Sequence, residues 1–239
     1  MHLVQLTVDI AAALDHAEKT EGLGRQLRQD TGLVIKTLLT GAFAGPVLRP
    51  WRLHAMHGRA ALVIGYADED TEALRGRLAL ALSSAQTAVG EIVAAPVPAL
   101  GDHAELAFEV RFSPVVSVNR EGGGIIRRDA FLRAKELAAA RGEAAPTRDD
   151  VYRAYLATRL PGLELVSAAL TGHRLERHAR EGGGRWTIKS VPVAEMHGLV
   201  RITDAPLAQR TIREGVGRSK AYGCGMIRLA PASAARVAA

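Results

Sequence analysis

Hydrophobic and polar residues alternate over the first ten positions of the chain. Four apolar side chains take every second position: Val4, Leu6, Val8 and Ile10. A period of two is typical of a half-buried β-strand, so a strand is predicted there. After a polar stretch, Val34, Leu38 and Phe43 have helical spacing, and the Gly45-Pro46 pair should end that helix.

The rest of the first half predicts two more strands, a helix and a third strand. Residues 47–56 and 59–66 are extended runs on either side of a His-Gly turn signal, which is typical of a hairpin. A helix is expected to begin at residues 68–70 and to place Leu74, Leu78 and Leu82 on one face. Residues 94–101 contain two prolines and predict a linker, and the alternation from Leu106 to Phe112 predicts the next strand.

The second half predicts a similar series of elements. Helices are expected at 128–140, 148–158 and 205–214, and strands at 163–170, 185–192, 196–203 and 226–229. Two successive β-α-β-β-α-β units are typical of an α+β protein with two tandem ferredoxin-like (RRM-like) domains. We expect the domains to comprise residues 1–98 and 99–239, the second with a helical insertion and a glycine-rich loop.

Composition narrows the class of protein. The chain has 239 residues, of which 48% are hydrophobic, and a single cysteine, Cys224. One cysteine excludes a disulfide framework and a cysteine-based zinc cluster. No apolar run approaches the roughly 20 residues that span a bilayer, and the start does not resemble a signal peptide. We therefore expect a soluble, cytoplasmic protein without a membrane partner.

Charge is distributed unevenly along the chain. The net charge is +6, but the part up to Asn119 carries −3 and the remainder carries +9. Arginine accounts for 26 of the 31 basic residues, and its guanidinium group binds phosphate in a bidentate manner. This asymmetry favours a polyanionic partner such as nucleic acid, although a general bias towards arginine is the alternative.

The segment from Arg213 to Leu229 contains four glycines within eleven residues, together with Arg218, Lys220 and Tyr222. Glycines let backbone N–H groups approach a phosphate, the cations add charge, and the tyrosine offers a stacking face. The spacing fits neither common phosphate-binding motif, since no Gly-Lys-Ser/Thr ends the segment and it follows a predicted helix. A tight helix-to-strand loop is the alternative.

This segment, GVGRSKAYGCGM, resembles the C-terminal glycine-rich loop of the CRISPR repeat-processing endoribonucleases, especially the CasE type or its divergent type IV counterpart. The GGGIIRRDAF run at 122–131 and the RWTIKSV run at 185–191 support the resemblance. It implies a nuclease that recognises the repeat hairpin and cuts precursor crRNA without metal. It also implies a protein that stays bound as a subunit beside other Cas proteins.

The chain departs from the family at the catalytic pair. The family pattern Asp-x-Tyr-x-x-His-x-x-Leu, laid on Asp30 to Leu38, puts Gly32 and Ile35 where the tyrosine and histidine belong. Either other residues catalyse cleavage through the RNA 2′-hydroxyl, or the protein binds the hairpin without cutting it. The catalytic candidates in this region are cationic: Lys36, Arg25 and Arg28. As catalysts they would stabilise a phosphorane, but arginine is a poor base, so we expect slow cleavage; the alternative is a solvated basic face or simple phosphate contacts.

The resemblance and the charge pattern together give a set of candidate RNA-binding residues. They are Arg127, Arg128, Arg133, Lys135, Arg141, Arg185, Lys189, Gly217, Arg218, Ser219, Lys220 and Tyr222. For the helical members the alternative is a solvated face with Glu136 and Glu143 as local partners. A third hypothesis is a ferredoxin-like domain that binds a small molecule or another subunit and has no RNA partner.

The eight histidines give no further site. His16 is the nearest histidine to the missing pair, and we expect it to be structural or exposed. His173 and His178 lie five residues apart without a carboxylate pattern, so we expect neither a metal site nor a cofactor.

Overall fold

Two units, each with its own sheet, make up the fold. The structure, a computed structural model, describes residues 1–21, 30–120, 122–182 and 185–233. The first unit contains Met1–Ala99, Glu176–Val191 and Lys220–Met226. The second contains Leu100–Leu175, Pro192–Ser219 and the chain from Ile227 onward. The glycine-rich segment is thus shared, because the chain passes from the second unit to the first between Ser219 and Lys220.

The first unit is built on a four-stranded antiparallel sheet with the order β2-β3-β1-β4. Its elements are β1 (His2–Asp9), α1 (Ile10–Glu21), α2 (Thr31–Ala42), β2 (Trp51–His57), β3 (Ala60–Ala67), α3 (Thr71–Ala79), α4 (Ser83–Ala88) and β4 (Val89–Pro96). This strand order is that of a ferredoxin-like fold. The core lies between the sheet and the helices: alternate β1 residues, Val4, Leu6 and Val8, are buried with Leu33 and Ile35 of α2.

The second unit has a sheet with the equivalent order, β10-β5-β9-β8, and a separate two-stranded hairpin, β6-β7. Its elements are β5 (Glu105–Phe112), β6 (Val115–Asn119), β7 (Ile125–Asp129), α5 (Ala130–Ala140), α6 (Arg148–Ala157), β8 (Leu163–Gly182), β9 (Arg185–Ile202), α7 (Ala205–Glu214) and β10 (Ile227–Pro231). The ends of β8 and β9 nearest the hairpin turn belong to the first unit. The predicted α+β class with two ferredoxin-like folds is confirmed.

Three aromatic side chains pack together in the core of the second unit. Phe112 stacks on Tyr155 with 5.8 Å between ring centroids, and Tyr152 meets the edge of Phe112 at 6.3 Å. The Tyr152 hydroxyl donates to the carboxylate of Asp129, whose other role is to cap α5 by accepting from the Phe131 N–H. Burial and this carboxylate raise the pKa of Tyr152.

Several element predictions are wrong. Ile10 begins α1 instead of continuing β1, and Leu82 is exposed because α3 ends at Ala79. The predicted linker at 94–101 begins inside β4, which the sequence analysis missed together with α1, α4 and β6. The predicted helix start at 128 lies in β7, and the three short strands predicted at 163–203 are two long ones.

The errors have physical causes. Helix α1 buries Ala13, His16 and Ala17, whose small or polar side chains give little hydrophobic contrast against the exposed face. The outer parts of β8 and β9 are rich in arginine and glycine, and cross-strand backbone hydrogen bonding does not require an apolar alternation there. No helix within the described ranges is long and apolar enough to cross a membrane.

The contact between α1 and α2 requires a glycine. His16 of α1 is buried, and its Nδ1 lies 2.9 Å from the Ser84 hydroxyl oxygen. Burial lowers the pKa of this histidine. A Cβ atom on Gly41 of α2 would lie 2.5 Å from His16 Nε2, so the two helices meet at a position that has no side chain.

Replacing Gly41 by alanine should therefore lower the free energy of unfolding by about 1–3 kcal/mol, since the added methyl overpacks against a buried, hydrogen-bonded ring. Gly76→Ala is the matched control, because a Cβ there meets nothing within 4 Å. The control should be neutral or stabilise by about 0.4–1 kcal/mol. Urea denaturation measures both, and similar effects of the two changes would contradict this description of the contact.

Candidate RNA interface

The glycine-rich segment turns sharply several times after α7. Gly215, Gly217, Gly223 and Gly225 have positive φ angles between 66° and 87°. This region of backbone conformation favours glycine, because a Cβ atom is strained there. Ser219 also lies there, at φ 61°. The spacing of glycines therefore follows from the path of the chain.

The first part of this segment packs in the second unit. Arg218 forms a β-bridge with Ser113, and its Nη2 donates to the Ser117 hydroxyl over 2.9 Å. Ser117 of β6 pairs in register with Arg127 of β7, and directly opposite side chains in an antiparallel pair share one face of the hairpin. The fold therefore brings two of the predicted RNA-binding arginines, Arg127 and Arg218, to one serine.

The second part of the segment packs in the first unit. Residues Lys220–Tyr222 form a 3₁₀ turn, and the Tyr222 ring stacks on His178 of β8 with 4.4 Å between centroids and 7° between planes. The Tyr222 hydroxyl donates to the carbonyl oxygen of Ala179 over 2.6 Å. One face of this ring is therefore occupied by protein, and its stacking on RNA stays a prediction.

Asp30 joins the start of α2 to the same place. Its carboxylate is buried, with Oδ1 accepting from the Leu33 N–H at 2.9 Å and Oδ2 accepting from the Ala179 N–H at 2.7 Å. The backbone of Tyr222 lies against Gly32, where a Cβ atom would come within 3.0 Å of the Tyr222 carbonyl oxygen. Helix α2, strand β8 and the glycine-rich segment thus meet where the family pattern places its catalytic tyrosine.

The two positions that lack the tyrosine and the histidine, Gly32 and Ile35, differ in their exposure to solvent. Ile35 is fully buried in the core of the first unit, so a side chain at that position points away from solvent. Gly32 and Lys36 are partly exposed and lie four residues apart, on one face of α2. Lys36 is therefore the described catalytic candidate whose side chain is accessible on this face. Arg25 and Arg28 lie outside the described residues.

His178 of β8 packs at this junction, against the Tyr222 ring. It is 2% exposed, its Nε2 lies 3.6 Å from the Glu176 carboxylate, and its Nδ1 has no hydrogen-bond partner in the described part of the chain. Sequence reasoning missed this position because nothing near residue 178 suggests contact with residue 222. His173 belongs to the other unit, and burial lowers its pKa.

Three arginines, on β7, on α5 and at the end of α5, have local carboxylate partners, as the alternative interpretation proposed. Arg128 and Arg133 contact Glu136 at 3.0 and 3.6 Å, and Arg141 contacts Glu143 at 3.1 Å. These pairs are substantially exposed to solvent, so each contributes little to stability. Arg127 and Lys135 are exposed on the same hairpin and helix. The segment 125–141 therefore presents arginines to solvent. Water and salt screen their attraction to the exposed carboxylates beside them.

The basic tip of the β8-β9 hairpin belongs to the first unit. Lys189 is exposed on β9, whereas the side chain of Arg185 lies outside the described part of the chain. Trp186 packs against the core of the first unit. Within the described ranges, no three His, Cys, Asp or Glu side chains come together as metal ligands would.

Comparison with known proteins identifies the family. A family model described as CRISPR associated protein matches residues 1–231. The chain belongs to this family. The resemblance carried by residues 213–229 is thereby confirmed, and the unusual Gly32 and Ile35 are departures within the family. No curated protein sequence matches the chain significantly.

Solved structures support the fold assignment. The CRISPR endoribonuclease Cse3 bound to a 19-nucleotide RNA is similar over 97% of this chain and 100% of its own, at 20% identity and a TM-score of 0.62. Cas6e from Escherichia coli K-12 gives the same coverage, 15% identity and a TM-score of 0.57. A chain of a CRISPR RNA-guided surveillance complex also covers 97% and 100%, at 17% identity and a TM-score of 0.56.

Asp30→Ala should lower the free energy of unfolding by about 2–3 kcal/mol, because it removes a helix cap and leaves the buried Ala179 N–H without its acceptor. Asp70→Ala is the matched control. Asp70 caps α3 by accepting from the Ala73 N–H at 2.9 Å and is exposed, so its loss should cost about 1 kcal/mol. Chemical denaturation measures both free energies of unfolding. Equal losses in the two variants would show that the hydrogen bond from the Ala179 N–H adds no stability.

Proposed function

We propose that this protein binds the hairpin of a CRISPR repeat transcript and cleaves the precursor at the base of the hairpin to give mature crRNA. Cleavage proceeds without metal, by attack of the RNA 2′-hydroxyl on the adjacent phosphate. The protein then keeps its product as a subunit of an effector complex with other Cas proteins. The observation that carries this proposal is the packing of the glycine-rich segment against the start of α2, in a chain that belongs to the CRISPR-associated family.

Binding rests on phosphate contacts. A-form RNA has a narrow major groove that side chains cannot read, so hairpins are recognised largely through phosphates, 2′-hydroxyls and unpaired bases. The arginines of β7 and α5 supply one cationic surface, and Lys189 supplies charge on the β8-β9 hairpin. Arg218 and Lys220 follow each other closely on the glycine-rich segment, one in each unit. The structural relatives include a Cse3 that holds RNA, which supports an RNA ligand for this chain.

Cleavage needs a proton acceptor, a proton donor and stabilisation of the phosphorane. Lys36 supplies an ammonium group one turn after Gly32, on the partly exposed face of α2, where it can reach a phosphate bound beside the helix. A cation at that point stabilises the developing negative charge. The 2′-hydroxyl then passes its proton to water and the departing 5′-oxygen takes a proton from water, with no histidine to assist either transfer, so turnover is slow compared with a histidine enzyme.

The second candidate function is repeat binding without cleavage. The observation that favours it is the burial of Ile35, because a helix that buries this position presents no proton-transfer group there. Such a protein would be a hairpin-binding subunit of a CRISPR complex. The two candidates share the RNA ligand and differ in whether the RNA is cut.

The proposed function is tested with a labelled repeat RNA from a neighbouring CRISPR array, incubated in EDTA beside a copy with a 2′-deoxy substitution at the cut site. A single cut that persists in EDTA and disappears in the deoxy copy is the expected result. Tight binding without a cut would instead establish the binding subunit. Absence of binding would favour the small-molecule or assembly hypothesis and exclude both candidates.

Lys36→Ala should reduce the single-turnover cleavage rate at least tenfold while leaving the Kd for the repeat RNA within about twofold, since the lost ammonium acts chiefly on the transition state. Lys19→Ala is the matched control on the other long helix of the first unit. Lys19 is exposed and pairs with Asp15 at 2.7 Å, so its loss should change neither quantity. Full cleavage by the Lys36 variant would remove this residue from the mechanism.

Changing Arg218 and Lys220 together to alanine should weaken hairpin binding and reduce the slope of log K against log salt by about 2, one for each lost phosphate contact. Arg59→Ala serves as the control, because Arg59 is exposed and pairs with Asp9 at 3.2 Å on the first sheet. A filter-binding titration over several salt concentrations measures the slope. Unchanged affinity in the double variant would contradict the RNA assignment.

A further inference from the structure

A pocket of about 700 Å³ opens in the second unit beside the glycine-rich segment. Its wall is formed by β6, the end of α6 and the residues that follow α7, and its polar lining consists chiefly of Ser117, Tyr155, Arg159, Glu214 and Arg218. The volume falls within the range of small-ligand sites and is ample for one nucleotide. Sequence reasoning indicated Gly217 and Arg218 but gave no sign of Arg159 or of a pocket.

Arg159 lies over the Tyr155 ring at one side of this pocket. Its guanidinium carbon lies 3.6 Å from the centroid of the Tyr155 ring, and its Nη1 donates to the Tyr155 carbonyl oxygen at 2.9 Å. The same nitrogen donates to the Thr158 hydroxyl at 2.8 Å. These contacts fix the plane of the guanidinium group. Unpaired RNA bases stack on guanidinium planes of this kind.

Arg218 and the glycine backbone form another side. The Arg218 side chain is exposed and is oriented by its bond to Ser117. Gly217 lines the pocket and is partly exposed, and its φ of 72° disfavours most other residues. A guanidinium group beside a partly exposed, sharply turned backbone is suited to a phosphate.

Tyr155 lines the pocket together with both cations. The hydroxyl is buried and donates to the Ser113 carbonyl oxygen at 3.1 Å. Burial raises its pKa, and the positive charges of both Arg159 and Arg218 act to lower it. Glu214 also lines the pocket, so the site carries one carboxylate beside two guanidinium groups. A carboxylate repels a bare anion and accepts from the amino group of a nucleobase, which favours a whole nucleotide over free phosphate.

We infer that this pocket binds one unpaired nucleotide of the RNA, next to the repeat hairpin, with its base on Arg159 and its phosphate at Arg218 and the backbone of Gly217. The inference rests on the proposed function, because it assumes that the repeat transcript is the ligand. It adds a single-strand subsite to the hairpin-binding surface and makes Arg159 a binding residue.

The test compares two RNAs, a blunt repeat hairpin and the same hairpin with unpaired nucleotides on both sides. The wild-type protein should bind the flanked RNA about tenfold more tightly, as expected for one stacked base. Arg159→Ala should remove this advantage and leave the Kd for the blunt hairpin unchanged. Arg153→Ala, on α6 shortly before Arg159, is the control, because Arg153 is exposed and contacts Asp149, and it should behave as wild type.

Arg159→Lys separates stacking from charge and covers the case in which the alanine variant does not fold. Lysine keeps the positive charge but lacks the planar guanidinium group, so most of the tenfold preference for the flanked RNA should still be lost. Abasic substitutions at each flanking position then identify the bound nucleotide. At one position the abasic substitution should raise the Kd of the wild-type protein about tenfold and leave the Kd of the Arg159 variants unchanged.

The outcomes distinguish the two proposals. If the blunt hairpin does not bind to the wild-type protein, the proposed function is wrong and this inference is overturned with it. If the hairpin binds but flanking nucleotides add no affinity, or every abasic position has the same effect in wild type and in the Arg159 variants, only the nucleotide pocket is overturned.

Discussion

The buried carboxylate of Asp30 organises the candidate catalytic region of the first unit. It accepts one N–H from the start of α2 and one from Ala179 on β8, at 2.9 and 2.7 Å, and Tyr222 donates to the carbonyl oxygen of the same alanine. A carboxyl group that is only 4% exposed is stable only when such hydrogen bonds satisfy it. Three segments that are distant in sequence therefore meet at one point, and the position of Lys36 beside Gly32 follows from it.

The departure from the family pattern has a structural explanation at this junction. The Tyr222 backbone lies close to Gly32, so a larger side chain there would force the glycine-rich segment to move. Ile35 contributes to the core of the first unit, and a histidine at this position would be buried. The chain has thus replaced a side-chain pair with tight packing, and the chemistry that remains on this face of α2 is cationic. The proposed cleavage would therefore rely on electrostatic stabilisation and on the reactivity of the RNA itself.

Periodicity predicted the parts of the fold in which burial alternates clearly. Strand β1, helix α7 and strand β5 were found because their apolar residues face one core, and the two-unit architecture followed from the order of such elements. Helix α1 was missed because alanine and histidine form its buried face. Pairing between distant segments has no local signature, and this is why the stacking of His178 on Tyr222 and the Arg159 pocket became visible only in the folded chain.

The chemical nature of the cut ends tests the central claim most directly. Attack by the 2′-hydroxyl leaves a 2′,3′-cyclic phosphate on the upstream fragment and a 5′-hydroxyl on the downstream fragment, whichever residues assist. Mass spectrometry of the products formed on the repeat RNA should therefore show this pair of ends. A 3′-hydroxyl with a 5′-phosphate would mean that water was the nucleophile, and it would contradict an account in which cations and the RNA's own hydroxyl perform the cleavage.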